Sequence, residues 1–387
     1  MNNIHCPLAA GALSIDIKST DKIRLQQCCI RRGPYPDDHP KSNRINFFGC
    51  LEVEHGENVW NQPDLQLLRD KFDRGEWDTG CLVCKASEDA GEYESSYRWE
   101  SLKGFGHVKS NISGPVRLDL QFDIGCNFAC RSCGPDLSTF WQKHLKDNNI
   151  SYIGPTATND ADKMIAILDD LDLSNLKNIT FCGGETLLGT GYWRVADYIA
   201  SRVPKICKEQ VKLCFQTNGS RPIPKYAHEI LEKYWLIQLN FSIDGVAEQF
   251  EYLRWPGKWD QVTANMLDMR DSIPPNHMFL IEETTSIFNL PYRNRLQTWR
   301  DENFSENRMG DIVHFTNHYA NGSFALSNMT QEYYDDFKHT PGMPWKFKEN
   351  SHKIKTMIEE IEKFDKIRNQ NWLDTFPILE KYYARYL

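Results

Sequence analysis

The sequence predicts an α/β fold of parallel strands joined by helical crossovers, preceded by a smaller N-terminal module. Two observations support this: from residue 115 onward short apolar runs alternate with amphipathic stretches, and the first run, residues 116–122, has the alternation of a strand. Such regularity is typical of parallel strands with right-handed connections, in an open or closed α/β barrel. Active sites in such barrels lie at the C-terminal ends of the strands.

The expected elements follow one another in a regular order. Strands are expected at residues 116–122, 178–182, 211–216, 237–243, 278–285 and 311–315. Helices are expected at residues 138–145, 160–173, 192–202, 226–234, 261–272 and 292–302. The tail, residues 331–387, is rich in aromatic residues and is expected to form a helical C-terminal extension.

Residues 1–105 differ from the rest and are expected to form the separate N-terminal module. Apolar runs at residues 12–17 and 23–25 flank a turn-rich segment, which predicts a hairpin, and residues 64–72 have near-helical apolar spacing. Six of the twelve cysteines fall in this module, more than so small a core is expected to contain by chance.

Composition narrows the class of protein. With 40% apolar and 25% charged residues the chain is of the ordinary soluble globular type, and it has no apolar run long enough to span a bilayer. A net charge of −8 without a basic stripe argues against nucleic acid as a partner. The N-terminus lacks the basic and apolar regions of a signal peptide, so a cytoplasmic location is expected. In that reducing compartment the cysteines favour metal thiolate chemistry over disulfides.

Three cysteines lie in one short loop directly after the first barrel strand: Cys126, Cys130 and Cys133. Gly125 precedes them and Gly134-Pro135 follows, so the backbone is free to wrap a cuboidal cluster. An iron–sulfur cube normally takes four cysteine ligands, and three leave one iron open. The alternatives are a zinc site, although zinc favours paired C-x2-C units, or three unrelated buried cysteines.

The C-x3-C-x2-C spacing resembles the signature of the radical S-adenosylmethionine (SAM) superfamily. The resemblance implies a partial (β/α)6 TIM-like barrel over about residues 106–330. It also implies a catalytic [4Fe–4S] cluster held by Cys126, Cys130 and Cys133, with S-adenosylmethionine chelating the fourth iron through its amino and carboxylate groups. One departure is Ser132, where the family often has an aromatic residue near the adenine; Phe128 is a candidate substitute.

Polar motifs at the ends of later strands also resemble family positions. Gly183-Gly184-Glu185, after the second strand, is similar to the family's GGE motif, and Thr217-Asn218-Gly219 and Ser242-Ile243-Asp244-Gly245 follow the third and fourth strands. The cofactor-binding residues that the resemblance implies are Gly183, Gly184, Glu185, Asn218, Ser242 and Asp244. The alternative for these residues is ordinary turn and helix-capping chemistry. Arg254 is a candidate partner for the methionyl carboxylate, or else a solvated loop side chain.

The N-terminal cysteines resemble a twitch module, the shortened form of the SPASM auxiliary-cluster domain, here placed before the barrel. The resemblance implies a second, auxiliary [4Fe–4S] cluster, with Cys6, Cys28, Cys81 and Cys84 as ligands and no open iron. Because successive strand residues face opposite sides, only one of Cys28 and Cys29 is expected to be a ligand, and we favour Cys28. A four-cysteine structural zinc site stays open, since ligand identity does not separate the two metals.

The resemblance therefore implies an enzyme that reductively cleaves S-adenosylmethionine to a 5′-deoxyadenosyl radical, which abstracts a hydrogen atom from the substrate. Radical enzymes with SPASM or twitch modules mostly modify ribosomally made peptides, by epimerisation, crosslinking or excision, so a peptide substrate is expected by analogy. The expected electron donor is a flavodoxin or ferredoxin. Alternatives are a sugar or nucleoside substrate, a non-catalytic iron–sulfur protein, and a zinc-stabilised interaction protein.

Overall fold

The protein is described by a computed structural model that covers residues 4–17, 22–28, 50–54, 56–93, 96–155, 160–273, 276–304, 318–319, 324–340 and 347–387. The chain divides into two compact units. Unit 1 comprises Met1–Ile124, Pro155–Phe215 and Tyr226–Ile237, and unit 2 comprises Gly125–Gly154, Gln216–Lys225 and Gln238–Leu387.

The described residues form strands and helices in the alternating order that the sequence predicts. The strands are β1 (Ala12–Asp16), β2 (Ile23–Gln26), β3 (Leu51–Val53), β4 (Arg117–Gln121), β5 (Asn178–Phe181), β6 (Lys212–Thr217), β7 (Leu236–Ser242), β8 (His277–Glu282), β9 (Thr284–Thr285) and β10 (His318–Tyr319). The helices of the first half are α1 (Pro7–Gly11), α2 (Pro63–Asp73), α3 (Leu82–Asp89), α4 (Tyr97–Phe105), α5 (Thr139–Asp147), α6 (Ala161–Asp169), α7 (Gly191–Arg202) and α8 (Pro204–Gln210). Those of the second half are α9 (His228–Leu231), α10 (Glu248–Leu253), α11 (Trp259–Ser272), α12 (Arg293–Asn303), α13 (Gln331–Phe337), α14 (Ser351–Arg368), α15 (Trp372–Thr375) and α16 (Ile378–Tyr383).

Unit 1 is built around a sheet in the order β3-β2-β1-β4-β5-β6. The first three strands pair antiparallel, which confirms the predicted hairpin, whereas β1, β4, β5 and β6 pair in parallel. Helices connect the parallel strands from β4 onward, so the predicted fold class, α/β with helical crossovers, is confirmed. Because β1 pairs along its whole length with β4, the N-terminal strands share a sheet with the first barrel strand. The domain boundaries near residues 105 and 330 stay predictions.

Burial explains why these segments are strands. In β4, Leu118 and Leu120 are completely buried while the residues between them are partly exposed, which gives the alternation visible in the sequence. All four residues of β5 are buried, as expected for a central parallel strand covered on both faces.

Unit 2 contains the neighbouring strands β7 and β8, the short parallel pair β9 and β10, and the C-terminal helices. The tail is helical as predicted, and its longest helix, α14, begins at the capping residue Asn350 and ends at Asn369, whose backbone is left-handed with φ 52°. Aromatic residues of the tail, among them Tyr333 and Phe376, form one buried core with Phe288 and Tyr252.

Four expectations for single elements need correction or fall outside the description. The helix expected at residues 226–234 is only the short α9 preceded by a 3-10 turn, and the helix expected at 160–173 ends at Asp169. The strand expected at 278–285 is broken at Glu283 into β8 and β9. The strand expected at 311–315 lies outside the described residues. Within the described part of the chain, no helix is long and apolar enough to cross a membrane.

Candidate functional site

The three cysteines of the C-x3-C-x2-C loop lie close together in unit 2, directly after β4. Cys130 is buried, and Cys126 and Cys133 are partly exposed. Burial raises the pKa of the Cys130 thiol, and the neighbouring sulfur atoms of Cys126 and Cys133 raise this pKa further, whereas Arg254 opposes the shift. The three thiols therefore interact electrostatically, and both burial and the two neighbouring sulfur atoms oppose ionisation of Cys130.

Backbone hydrogen bonds hold this loop to the segment that ends α10. The N–H of Ala129 donates to the carbonyl of Trp255 at 2.7 Å, and the N–H of Arg131 donates to the carbonyl of Leu253 at 2.6 Å. The two bonds flank Cys130, so the position of this cysteine is set by a segment more than one hundred residues downstream.

A buried ion pair lies beside Cys130. Arg254 and Asp244 approach each other twice, with Nη2 to Oδ1 at 3.0 Å and Nε to Oδ2 at 2.9 Å. The N–H of Thr284 also donates to Oδ1 of Asp244 at 2.8 Å. Nη1 of Arg254 lies 3.9 Å from Sγ of Cys130. Burial alone would lower the pKa of Arg254, but Asp244 and Cys130 raise it above the usual range, so this guanidinium stays cationic.

This ion pair changes how Asp244 and Arg254 are interpreted. Arg254 is only 6% exposed, which rules out the solvated loop side chain considered from the sequence. Both carboxylate oxygens of Asp244 face Arg254. The role of Asp244 toward a ribose stays a prediction, while its contact with Arg254 is a feature of the structure that the sequence did not indicate.

Asn218 places an amide donor next to a second cysteine. Its Nδ2 lies 3.8 Å from Sγ of Cys126 and donates to Oδ1 of Asn127 at 3.1 Å. Its own Oδ1 accepts from the N–H of Ser220 at 2.9 Å, which fixes the orientation of the amide. N–H donors to thiolate sulfur are among the groups that set the reduction potential of an iron–sulfur cluster.

Two further predicted positions have different surroundings. Ser242 is the last residue of β7 and is partly exposed. Phe128 is buried and packs edge-on against Phe250, with ring centroids 6.5 Å apart. A Cβ atom at Gly257 would lie 2.7 Å from the Phe128 ring, so that ring is tightly enclosed. Phe128 therefore packs in the core of the protein.

The Gly183-Gly184-Glu185 loop belongs to unit 1, at the end of β5. Gly183 has φ +134°, and a Cβ atom there would lie 2.5 Å from the carbonyl oxygen of Asp123 and 2.6 Å from the hydroxyl of Tyr192. The N–H of Gly184 donates to the same Asp123 carbonyl at 3.0 Å. Position 183 thus requires glycine for both its conformation and its close contacts.

Glu185 is buried at 2% exposure, and its Oε1 accepts from the N–H of Leu187 at 2.9 Å. This carboxylate therefore stabilises the turn that follows β5. Its expected contact with the cofactor's ammonium group stays a prediction.

The four N-terminal cysteines that the sequence singled out line one pocket of unit 1: Cys6, Cys28, Cys81 and Cys84. Burial raises the pKa of Cys6 to about 11, while N–H groups of Ala9 and Leu8 act in the opposite direction. Cys29 lies outside the described residues. In the described part of the chain, no three or more Cys, His, Asp or Glu side chains are grouped so as to hold a single metal ion.

Arg98 is the cationic side chain of this pocket. It forms a salt bridge with Glu88, in which both side chains are 9% exposed, and its Nη1 donates to the carbonyl oxygen of His5 at 2.6 Å. His5 also accepts from the N–H of Val108 at 3.1 Å through its Nε2. These contacts fix the backbone just before Cys6.

Glu283 is a buried carboxylate that the sequence analysis did not identify. It occupies the break between β8 and β9, and its Oε2 accepts from Nε of Arg293 at 2.9 Å. Burial raises its pKa to about 7 although Arg293 opposes the shift. No local sequence pattern marks this residue, because it is one of several polar residues that follow the apolar run ending at Ile281.

The match to a protein-family model includes the cysteine loop. Residues 122–288 match the family model described as the Radical SAM superfamily. A search of curated protein sequences found no significant match.

Among solved structures, one described as native anSMEcpe with bound AdoMet is 14% identical, with a TM-score of 0.38, and the alignment covers 66% of this chain and 62% of that one. Streptococcus suis SuiB bound to S-adenosylmethionine is 16% identical, with a TM-score of 0.37 and coverage of 84% and 66%. SuiB bound to the precursor peptide SuiA is 14% identical, with a TM-score of 0.36 and coverage of 87% and 70%. The aligned parts thus span less than two thirds of the first two of these proteins.

Proposed function

We propose that this chain is a radical SAM enzyme whose Cys126, Cys130 and Cys133 hold a catalytic [4Fe–4S] cluster. The proposal starts from the match of residues 122–288 to the Radical SAM superfamily model. The observation that carries the proposal is the grouping of three thiols in one loop, with a permanently cationic Arg254 next to the buried one. Thiolates are the form that binds iron, and a neighbouring guanidinium favours the thiolate.

The chemistry of the bound group is that of the family: one electron from the cluster cleaves S-adenosylmethionine into methionine and a 5′-deoxyadenosyl radical, which abstracts a hydrogen atom from the substrate. Residues of the chain would stabilise the thiolate ligands and fix the loop that carries them. Arg254 offsets thiolate charge, Asn218 directs an amide N–H toward the Cys126 sulfur, and backbone bonds from residues 253–255 fix the loop. Gly184 and its neighbours are proposed to receive the methionyl group, because glycine permits close backbone approach.

We further propose an auxiliary [4Fe–4S] cluster in the pocket lined by Cys6, Cys28, Cys81 and Cys84. Four thiols from three separate segments of unit 1 face this pocket, and four thiolates are the usual ligand set of such a cluster. Arg98 also lines this pocket, although its charge is balanced by Glu88. A structural zinc site with the same four ligands is the alternative.

The proposed substrate is a ribosomally made peptide, in keeping with the resemblance to enzymes with auxiliary-cluster modules, and the proposed electron donor is a flavodoxin or ferredoxin. A sugar or nucleoside is the alternative substrate. The two classes are separated by incubating the reconstituted enzyme with each candidate and S-adenosylmethionine, and measuring substrate-dependent 5′-deoxyadenosine and the mass change of the substrate.

The catalytic cluster is tested by replacing Cys126, Cys130 and Cys133 together by Ala. After anaerobic reconstitution the variant is expected to contain about four fewer irons per chain than wild type and to form no 5′-deoxyadenosine, because the thiolates hold the cube. Cys207→Ala is the matched control: this cysteine is fully buried in α8, outside both cysteine groups, and its loss should leave iron content unchanged. Full activity in the triple variant would overturn the proposal.

The auxiliary site is tested by metal analysis of wild type and of the Cys81→Ala, Cys84→Ala double variant. Wild type is expected to hold about eight irons and the double variant about four, since each cube contains four. Cleavage of S-adenosylmethionine without substrate should survive at least in part, whereas substrate turnover should fall. Four irons with one zinc in wild type would instead identify the structural zinc site.

A further inference from the structure

A buried group of charges from the C-terminal extension lies against the catalytic cysteine loop. Arg131, between Cys130 and Cys133, forms a salt bridge with Asp365 of α14, with side chains 1% and 7% exposed. Nη2 of Arg131 also donates to Oε1 of Gln370 at 2.8 Å. Asp365 accepts further bonds from the Tyr252 hydroxyl at 2.9 Å and from the Trp372 N–H at 2.7 Å, so its carboxylate is held in place.

A second arginine, Arg368 in α14, lies in the same region, and among the described residues no carboxylate forms a salt bridge with it. The guanidinium carbon of Arg368 lies 4.6 Å from the ring centroid of Trp141, 4.8 Å from that of Trp255 and 5.5 Å from that of Phe364. Its Nε donates to Nε2 of His144 at 3.3 Å. Burial lowers the pKa of His144 to about 4, so this imidazole is a neutral acceptor at neutral pH.

The charges in this group do not cancel. Asp365 balances one of the two guanidinium groups, while Nη1 and Nη2 of Arg368 are buried and have no hydrogen-bond partner among the described residues. Burial lowers the pKa of Arg368 to about 9, which still leaves it cationic at neutral pH. An unbalanced buried charge is costly, and its retention requires a compensating negative charge nearby.

A reduced cluster bound by the cysteine loop would supply this negative charge. Trp141, whose ring stacks with Arg368, donates its indole N–H to the carbonyl oxygen of Cys130 at 2.9 Å. Cys133 packs against the same apolar cluster, which includes Trp255 and Phe364. Aromatic rings therefore lie between Arg368 and the loop. Because Arg368 is only 7% exposed, charge interactions across this buried region are weakly screened.

We propose that Arg368 is a positioning residue for the redox chemistry, which raises the one-electron reduction potential of the cluster bound by Cys126, Cys130 and Cys133. The inference rests on the proposed function, because it requires that this loop holds the cluster. Reduction by an electron from the donor adds one negative charge to the cluster, and a fixed, weakly screened positive charge stabilises the reduced state more than the oxidised one.

The test is an anaerobic redox titration of the reconstituted full-length protein, followed by the electron paramagnetic resonance signal of the reduced cluster. The signal that changes on addition of S-adenosylmethionine identifies the cluster with the open iron. For Arg368→Met, which keeps an unbranched apolar stem against the rings, the ratio of reduced to oxidised cluster at a fixed solution potential should fall about tenfold or more. A tenfold change corresponds to about 59 mV for a one-electron couple.

Two controls isolate the buried charge. Arg368→Lys keeps the charge and should retain most of the wild-type potential. Lys363→Met removes a positive charge from the same helix, 5.8 Å from the same Phe364 ring, but Lys363 is exposed to solvent, so its loss should not move the potential. Asp365→Asn removes the opposing negative charge and should shift the potential upward.

The outcomes separate this inference from the proposed function. Full iron content and an unchanged potential in Arg368→Met, or equal shifts in Arg368→Met and Lys363→Met, would overturn the role of Arg368 and leave the cluster assignment intact. If Arg368→Met binds no cluster, the Asp365→Asn variant becomes the test. An unchanged or lowered reduction potential of the cluster in Asp365→Asn would then overturn the inference. A wild-type protein that takes up no iron on Cys126, Cys130 and Cys133 would overturn the proposed function, and this inference with it.

Discussion

The ion pair between Asp244 and Arg254 gives the sharpest prediction for stability. We consider Asp244→Asn in the cluster-free protein, because Asn keeps an oxygen that accepts from the Thr284 N–H and removes only the charge. The side chains of Arg254 and Asp244 are 7% and 2% exposed, so the variant leaves a buried guanidinium without its carboxylate. Breaking such a pair from one side costs about 3–5 kcal/mol in the free energy of unfolding.

The matched control is Glu76→Gln, which breaks the pair of Glu76 with Arg74, whose side chains are 52% and 51% exposed. Solvent screens that pair, so its loss should leave the free energy of unfolding nearly unchanged. Both variants are compared with wild type by denaturant unfolding followed by circular dichroism. Adding Arg254→Met to Asp244→Asn should restore part of the loss, because no unpaired charge then remains. Equal losses in the buried and exposed variants, or strictly additive losses in the double variant, would refute the reasoning.

Three further predictions follow from single residues. Glu283→Gln should remove a pH dependence. Burial holds the pKa of the folded Glu283 carboxyl at about 7 against an ordinary value of 4.5, so folding binds a proton between these values and wild type loses stability relative to the variant as pH rises. Between unfolding experiments at pH 5 and pH 7.5, this loss should be about 2 kcal/mol. Gly183→Ala should destabilise the protein by about 1–3 kcal/mol because of its φ and its contact with Asp123, whereas Gly104→Ala, in α4 with open space around it, should be neutral or slightly stabilising in the same assay. Gly184→Val should weaken S-adenosylmethionine binding in calorimetry while iron content stays at the wild-type level; an unchanged affinity would mean that Gly184 only forms a turn.

The periodicity of apolar residues in the sequence predicts the central strands of the fold accurately. The observed β5, β6 and β7 each lie within one residue of the expected strands, because a run of buried residues between polar turns has few other ways to fold. The same method failed at Glu283, since the polar residues that follow Ile281 do not reveal where the strand ends. The short α10, Glu248–Leu253, was not predicted because six residues are too few to show a helical period.

At the site too, short-range sequence patterns identify residues, whereas contacts between residues far apart in sequence are not predicted. Cys126, Cys130 and Cys133 were found from their spacing, which is a property of eight consecutive residues. The charges around them were not found, because Arg131 and Asp365 are 234 residues apart in sequence and no local pattern relates them. The contact between Asp244 and Arg254 was missed for a different reason: each residue had been given a separate role toward the cofactor.

The loop geometry bears on how the proposed cluster would be loaded. In small metal-binding domains the metal supplies the folding energy, and the ligands come together only when it binds. Here backbone bonds from Leu253 and Trp255 hold the loop on either side of Cys130, and the side chain of Arg131 is held by Asp365 in α14. These partners lie far downstream, so the contacts that hold the loop are complete only when the residues after α10 and helix α14 are in place. The tail therefore belongs to the site, because it completes the structure that receives the iron.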